Sequence, residues 1–290
     1  MLAHISQPPN AVDKTVDPEF FSIENLIKTR LPPLPANVMR VSALLADYDA
    51  SPKKVADAIS LDPILSTRLL RLANSPIYGV NRSVTSLSQA VARVGNTEIH
   101  GMLMVSGISD SFGRKVLGSP AGKAIWSHLL AVAVATSEIC NYANMRGADD
   151  AFTCGLLHDI GKLILLRADM PLYSGLLDRA EEGEDIRVLE QEAFGFDHTE
   201  LGASVANAWN LSPALAHMIR HHHDPTKASS GIAMVRFINI ADRFVHLHSS
   251  GANMFELFMY QSVIDLGLTQ EMFDSIWEKI TERLAVAETF

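Results

Sequence analysis

Apolar positions in this 290-residue chain recur every three to four residues almost throughout, and runs with a period of two are scarce. That spacing lines apolar side chains along one helix face, so the pattern predicts an all-α fold. A helix can begin at Pro18 and pass through Phe21, Leu26 and Ile27. Leu31-Pro-Pro-Leu-Pro35 then breaks it, because proline lacks an N–H and disfavours helix in the residue before it. Ser51-Pro52 and Asp62-Pro63 each set a capping side chain before a proline at the first helical position. Val55, Ala58 and Ile59 follow the first at helical spacing, and Leu65, Leu69, Leu72 and Ala73 follow the second. Asn74-Ser75-Pro76 and Gly79 close that unit. Further helices are predicted over 86–94, ending at Gly95-Asn96, and over 98–112.

The stretch from Gly113 to Gly122 carries three glycines and a proline and is the best domain boundary. Beyond it the period predicts a long helix from about Ala121 to Met145, with Trp126, Leu129, Val132 and Ile139 among its apolar positions. Asp149 can cap a helix running without interruption through Leu156, Leu157, Ile160 and Ile164. Asp178 to Glu192 is acidic and polar and reads as a solvated helical hairpin. Asp197, with Glu200 three residues later, resembles a capping arrangement. Pro213 opens a helix reaching His221–His223, and two more span about Gly231 to His246 and Thr269 to Ala287. The segment before Pro18 has no period and reads as a loose tail. The chain thus divides into a tail (1–17), an N-terminal helical bundle (18–115), a second helical half (116–250) and a C-terminal helical extension (251–290).

Composition narrows the function classes. With 48% apolar and 20% charged residues, the chain can bury a real core. Lys plus Arg number 24 against 33 Asp plus Glu, a formal charge of −9, which demotes non-specific nucleic-acid binding. Cys140 and Cys154, with no CxxC spacing, give a thiol-bearing cytoplasmic profile. The first ten residues lack the basic and apolar regions of a signal peptide. The apolar run Leu129 to Ala135 is far short of the ~20 residues a membrane helix needs. The expectation is a soluble cytoplasmic protein without membrane contact.

Several catalytic signatures fail. Gly155 to Lys162 superficially matches a phosphate-binding loop, but five residues separate its glycines instead of four, the Ser/Thr is missing, and the pattern is helical. HExxH, GxSxG and GxGxxG are absent. Cys154 near His158 reads as a small buried hydrophobe. The eleven histidines are more informative. His158-Asp159 lies in a strongly apolar stretch, where an ionised Asp needs a partner or a cation. Read as mid-helix neighbours about 100° apart, the pair can offer one cation an imidazole nitrogen and a carboxylate oxygen. Lys162, four residues past His158, could hold a phosphate oxygen. His128, His198, His222 and His223 in Ile219-Arg-His-His-His-Asp224, and Asp242 in Phe237-Ile-Asn-Ile-Ala-Asp242 occupy comparable contexts. Such a set suits one or two ions of zinc, manganese, iron or nickel. Each position taken alone also fits a hydrogen-bonded core residue, and His-Asp pairs also form plain ion pairs. His217 and His221 read as a solvent-facing pair, His246 and His248 as surface, and Trp126 and Trp209 as core.

Leu-Leu-His158-Asp159-Ile-Gly-Lys162 resembles the hallmark of the HD superfamily of metal-dependent phosphohydrolases. More narrowly, the chain resembles HDOD-domain proteins, bacterial signalling modules related to the HD-GYP branch. Leu31-Pro-Pro-Leu-Pro-Ala-Asn-Val38, Leu61-Asp-Pro-Ile-Leu-Ser-Thr-Arg-Leu-Leu-Arg-Leu-Ala-Asn-Ser75, Ser86-Leu-Ser-Gln-Ala-Val91, Phe194-Gly-Phe-Asp-His198-Thr-Glu-Leu-Gly202 and His222-His223-Asp-Pro225 carry the likeness, which spans about residues 20–250. It implies an N-terminal helical bundle packed on an HD-like helical half. It implies a metal set of His128, His158, Asp159, His198, His222 or His223, and Asp242. Asp159 would be a shared ligand and proton acceptor, and Lys162 would stabilise charge on phosphate. After His223 an HD-GYP enzyme would show a glutamate and a Gly-Tyr-Pro-type stretch, where this chain has Asp224-Pro-Thr-Lys. The leading expectation is a regulatory protein with a vestigial phosphohydrolase half and metal site, acting by binding another signalling protein or a small phosphorylated ligand. The alternative is an active metal-dependent phosphohydrolase acting on a nucleotide or phosphodiester.

Overall fold

The computed structural model describes residues 20–47, 49–78, 83–145 and 150–287. The tail 1–17, the helix start at Pro18, the closing Gly79 and the cap at Asp149 lie outside them. All regular structure among the described residues is helical.

The N-terminal part follows its capping signals. The first helix, α1 (Ile23–Thr29), starts where the Ser22 hydroxyl accepts from the Asn25 N–H. The proline run leads into α2 (Ala36–Leu45). Helices α3 (Pro52–Ser60) and α4 (Pro63–Ala73) begin at the two predicted prolines, and Asp62 Oδ1 accepts from the N–H groups of Ile64 and Leu65 at 2.8 and 3.1 Å. Then come α5 (Leu87–Val94) and α6 (Asn96–Leu117), the latter kinked at Gly113, where φ is 68°. Gly95 joins them at φ 84°, a conformation that disfavours any residue with a Cβ. Val38, Val41, Ile59, Leu69, Ile99 and Leu103 anchor an apolar core contained within residues 38–103.

A second, larger core gathers around α7 (Pro120–Tyr142), whose start is capped by Ser119. Next in order are α8 (Ala151–Leu157), α9 (Ile160–Ala168), α10 (Met170–Glu181), α11 (Ile186–Phe194), α12 (His198–Ala208) and α13 (Pro213–His221). The chain continues through α14 (Ile232–Ser250), α15 (Phe255–Phe258), α16 (Gln261–Asp265) and α17 (Gln270–Ala287). Helix α7 packs against α6, α8, α9, α14 and α17. Its apolar residues from Leu129 to Ala135 are buried on every side, which explains a run longer than one amphipathic face requires.

The two cores meet through α6, whose earlier residues Ile99 and Leu103 belong to the first and whose later residues Ile108 and Phe112 belong to the second. Phe21, Leu26 and Leu34 also join the second core, and Trp209 Nε1 donates to the Pro32 carbonyl at 2.9 Å. Arg283 on α17 forms a two-pronged ion pair with Glu98 on α6. No described helix is long and apolar enough to cross a membrane.

Two expectations are corrected. The helix predicted to run unbroken through 156–164 is interrupted between Leu157 and Ile160, with Asp159 at φ −109°, ψ 19°. Attraction of the buried Asp159 carboxylate to Lys162, His158 and His198 stabilises the bend. The 178–192 stretch is indeed a hairpin, of α10 and α11, but its inner face is not solvated: Leu189 and Glu190 are buried.

Candidate metal centre

Six segments bring their polar side chains to one point in the second core. His128 comes from the middle of α7, His158 and Asp159 from the bend, and Lys162 from the first turn of α9. His198 opens α12, His222 and His223 follow the end of α13, and Asp242 lies on α14. Close backbone approach makes the convergence possible. A Cβ on Gly161 would sit 2.1 Å from the carbonyl oxygen of His198, and one on Gly155 would sit 2.7 Å from Ala133 Cα. Only glycine lets α9 start against α12 and α8 lie against α7 at these distances.

Asp159 is the hub. Its Oδ2 lies 2.6 Å from Lys162 Nζ, 3.4 Å from His158 Nε2 and 3.8 Å from His128 Nε2. Its Oδ1 lies 3.0 Å from His198 Nε2 and 3.4 Å from His222 Nε2. Asp242 Oδ1 is 3.0 Å from His128 Nε2 and 3.8 Å from His158 Nε2, and its Oδ2 is 3.7 Å from His223 Nδ1. His158, Asp159, His198 and His222 are fully buried, whereas the side chains of His128, His223, Asp242 and Lys162 are 14–24% exposed and form the open edge.

The imidazole orientations are fixed from behind. His158 Nδ1 lies 2.7 Å from the Gly155 carbonyl and His222 Nδ1 lies 2.7 Å from the Ile219 carbonyl. A carbonyl only accepts, so both Nδ1 atoms carry a proton and both Nε2 atoms face the centre. His158 Nε2, His222 Nε2 and Asp159 Oδ1 are buried and make no hydrogen bond among the described residues. The 3.0 Å approach of His198 Nε2 to Asp159 Oδ1 lacks hydrogen-bond alignment, so it leaves that oxygen unsatisfied. His198 Nε2 also faces His223 Nε2 at 3.1 Å. Two ring nitrogens at that distance repel unless a proton or a cation sits with them. Unsatisfied buried polar atoms are rare and costly. Three of them in one cluster, two imidazole nitrogens and a carboxylate oxygen, are donors of the kind that divalent ions with N and O ligands require. Asp159, His198, His222 and His223 offer one set of ligand atoms within 4.8 Å of one another. His128, His158 and Asp159 offer a second, and His158, His222 and Asp242 a third.

Electrostatics point the same way. Burial works against charge on His158, but Asp159 and Asp242 outweigh it and push its pKa up to about 10. Burial likewise opposes charge on His198, and Glu190 and Asp159 push its pKa up to about 9. Burial alone would raise the Asp159 carboxyl, yet Lys162, His158 and His198 hold it well below the carboxylate range. Asp242 is depressed in the same way, against burial, by His128 and His158. Burial lowers His222 and His223, so those rings stay neutral. Without a metal, protons on His158 and His198, with Lys162, therefore balance the two carboxylates.

The structure brings every predicted ligand residue into this cluster, with His222 and His223 both present. Lys162 lies at its edge, paired with Asp159. Glu190 escaped the sequence reading. Its Oε2 accepts from the backbone N–H of His198 at 2.8 Å and lies 2.7 Å from His198 Nδ1. The signal was there: Ile186, Leu189, Ala193 and Phe194 form a helical apolar stripe, and Glu190 sits on it. His217 and His221 pair outside the cluster, their ring centroids 4.5 Å apart. His248 stacks on Trp277. Cys154 is buried, and burial pushes its thiol far above neutrality, which removes it as a nucleophile.

The HDOD-domain family model matches residues 31–225. An uncharacterized protein of Treponema pallidum (strain Nichols) is 28% identical over 266 residues, which cover 86% of this chain and 50% of the relative. The chain therefore spans about half the length of that relative. The crystal structure of an HDOD domain protein of unknown function from Geobacter sulfurreducens superposes with a TM-score of 0.74 at 25% identity, covering 93% of this chain and 99% of that one. A Shewanella amazonensis SB2B protein, whose name proposes a phosphohydrolase, has the same fold, with a TM-score of 0.74 at 24% identity over 92% of this chain and 97% of that one.

Proposed function

The chain belongs to the HDOD domain family, and from that premise we propose that it is a bacterial signal-transduction protein. It acts by binding another signalling protein or a small phosphorylated ligand, with a divalent metal centre at its His–Asp cluster. The observation that carries the metal is the presence of three buried, unsatisfied donor atoms, on His158, His222 and Asp159, residues of which any two share one of the overlapping ligand sets. His128, His158, Asp159, His198, His222, His223 and Asp242 would hold manganese, iron, nickel or zinc. When bound, such an ion polarises a phosphoryl oxygen and acidifies water.

The protein's own residues favour binding over turnover. Most of the donor atoms are sealed from solvent, and an incoming molecule reaches only the edge formed by His128, His223, Asp242 and Lys162. At that edge the Lys162 ammonium is held 2.6 Å from Asp159 Oδ2, where it can meet an anionic group. Beyond His223 the chain turns at Asp224 into a short 3₁₀ segment, Pro225–Lys227, in place of the Glu and Gly-Tyr-Pro stretch of the HD-GYP branch. The second reading, a phosphohydrolase, draws on the same Lys162 placement. Asp159 would then accept a proton, and Lys162 would offset charge on the phosphoryl group.

The test compares the wild type with the double variant His158→Ala/Asp159→Ala, in metal uptake and in release of p-nitrophenol from bis(p-nitrophenyl) phosphate. The expected result is metal uptake without turnover in the wild type, and no uptake in the double variant with its helical signal retained. Stoichiometric metal in the double variant would overturn the ligand assignment. Metal-dependent turnover by the wild type would replace the binding reading with the hydrolase.

A further inference from the structure

We propose that Glu190, held in place by Tyr173, is a positioning residue that fixes His198 as a ligand and ties the α10–α11 hairpin to the metal centre. The inference rests on the metal reading above and adds to it a supporting residue outside the ligand set.

A fully buried carboxylate needs a reason, because burial without partners costs several kcal/mol. Glu190 spends both oxygens on two residues. Oε2 takes the His198 backbone N–H at 2.8 Å and the His198 ring nitrogen Nδ1 at 2.7 Å, and Oε1 accepts from the Tyr173 hydroxyl at 2.5 Å. Tyr173 is itself completely buried on α10, so the chain of contacts runs from α10 through α11 to the first residue of α12.

The ring contact sets the tautomer. A carboxylate oxygen accepts, so Nδ1 of His198 carries the proton and Nε2 is the metal-facing atom, toward Asp159 Oδ1 and His223 Nε2. His158 and His222 obtain the same orientation from neutral backbone carbonyls. Only His198 among these three is backed by a side-chain carboxylate, an arrangement that also raises the donor strength of the opposite ring nitrogen. The second hydrogen bond fixes the backbone. The N–H of His198 belongs to the first turn of α12, where no intrahelical acceptor exists. Asp197 serves Thr199 and Glu200, and Glu190 serves His198. A residue that only capped the helix would need the backbone bond alone. Glu190 makes the ring bond with the same oxygen and receives the Tyr173 hydroxyl on the other.

The full chain tests this as wild type, Glu190→Gln and Tyr173→Phe, with two readouts. The first is the His198 Nδ1 proton in metal-free protein, observed by long-range ¹H–¹⁵N NMR of the imidazoles. The second is Mn²⁺ affinity by titration calorimetry. Loss of such supporting partners typically weakens metal binding about 10–100-fold. Glu190→Gln is expected to fall in that range and to move the Nδ1 proton upfield as the charge-assisted bond is lost, and Tyr173→Phe to shift both readouts in the same direction by less. Glu190→Gln binding Mn²⁺ as tightly as the wild type would overturn the proposal, wherever its Nδ1 proton resonates. If the wild type takes up no metal, the metal reading fails separately and the NMR readout decides the positioning of His198: an unmoved proton in Glu190→Gln overturns it, and an upfield shift supports it. Should Glu190→Gln fail to fold, Tyr173→Phe decides by the same two measurements.

Discussion

Replacing Gly161 by alanine adds one methyl group where the centre has least room. The new Cβ would stand 2.1 Å from the His198 carbonyl oxygen and 2.9 Å from its carbon. Since Cβ atoms essentially never approach a neighbour closer than 3.0 Å, α9 and α12 must separate by roughly 1 Å in a core packed like a solid. His198 is the first residue of α12, and its Nε2 sits 3.0 Å from Asp159 Oδ1 and 3.1 Å from His223 Nε2. Metal–ligand distances tolerate only about 0.2 Å, so moving one ligand by several times that amount should weaken Mn²⁺ binding at least about tenfold. Overpacking of this kind costs about 1–3 kcal/mol, a fall in Tm of roughly 2–10 °C for a chain of this size. Calorimetric titration and thermal unfolding of Gly161→Ala beside the wild type give both numbers. A variant with unchanged Tm and unchanged affinity would refute the claim that the α9–α12 approach sets the geometry of the centre.

Three further predictions follow from the same contacts. In metal-free protein the raised pKa values of His158 and His198, about 10 and about 9, mean that their protonated forms stabilise the fold. That contribution is complete below about pH 6.5, the ordinary histidine value, and is lost as pH rises through 9 to 10, so the urea midpoint should fall over that interval. A flat midpoint from pH 6.5 to 10.5 would contradict it. Asp159→Asn keeps the side-chain shape but strands Lys162 and the imidazoliums. Breaking a buried ion pair costs about 3–5 kcal/mol, read from urea unfolding at pH 7, and a loss below about 1 kcal/mol would show that Asp159 is not the hub. Trp209→Phe removes the bond to the Pro32 carbonyl, with an expected cost of about 1 kcal/mol. An unchanged midpoint would mean that this bond contributes nothing to holding the proline segment against α12.

Legibility in the sequence depended on whether a feature is local. The starts of α3, α4 and α12 could be read because Ser51, Asp62 and Asp197 cap their own helices within three residues. The all-α class followed from periodicity alone. The bend at His158-Asp159 could not be read, since apolar residues continue on both sides and part of what holds the Asp159 carboxylate, His198 on α12, lies some forty residues away. Glu190 was hidden by averaging: the hairpin is acidic as a whole, and one carboxylate on its apolar stripe was counted with the solvated ones. The ligand residues were visible as acids and imidazoles in apolar context. Their convergence is a property of tertiary packing, resting on the close approaches at Gly155 and Gly161. Whether His222 or His223 faces the centre had no answer from helical spacing, because the chain leaves α13 at His222 and both rings enter the cluster.

The most direct test of the metal centre is the metal content of untagged protein purified without chelators, measured by mass spectrometry. The account predicts one or two equivalents of a transition metal per chain, or their stoichiometric uptake when manganese, iron, nickel or zinc is added. Folded protein that carries no metal and takes up none of these four would contradict it.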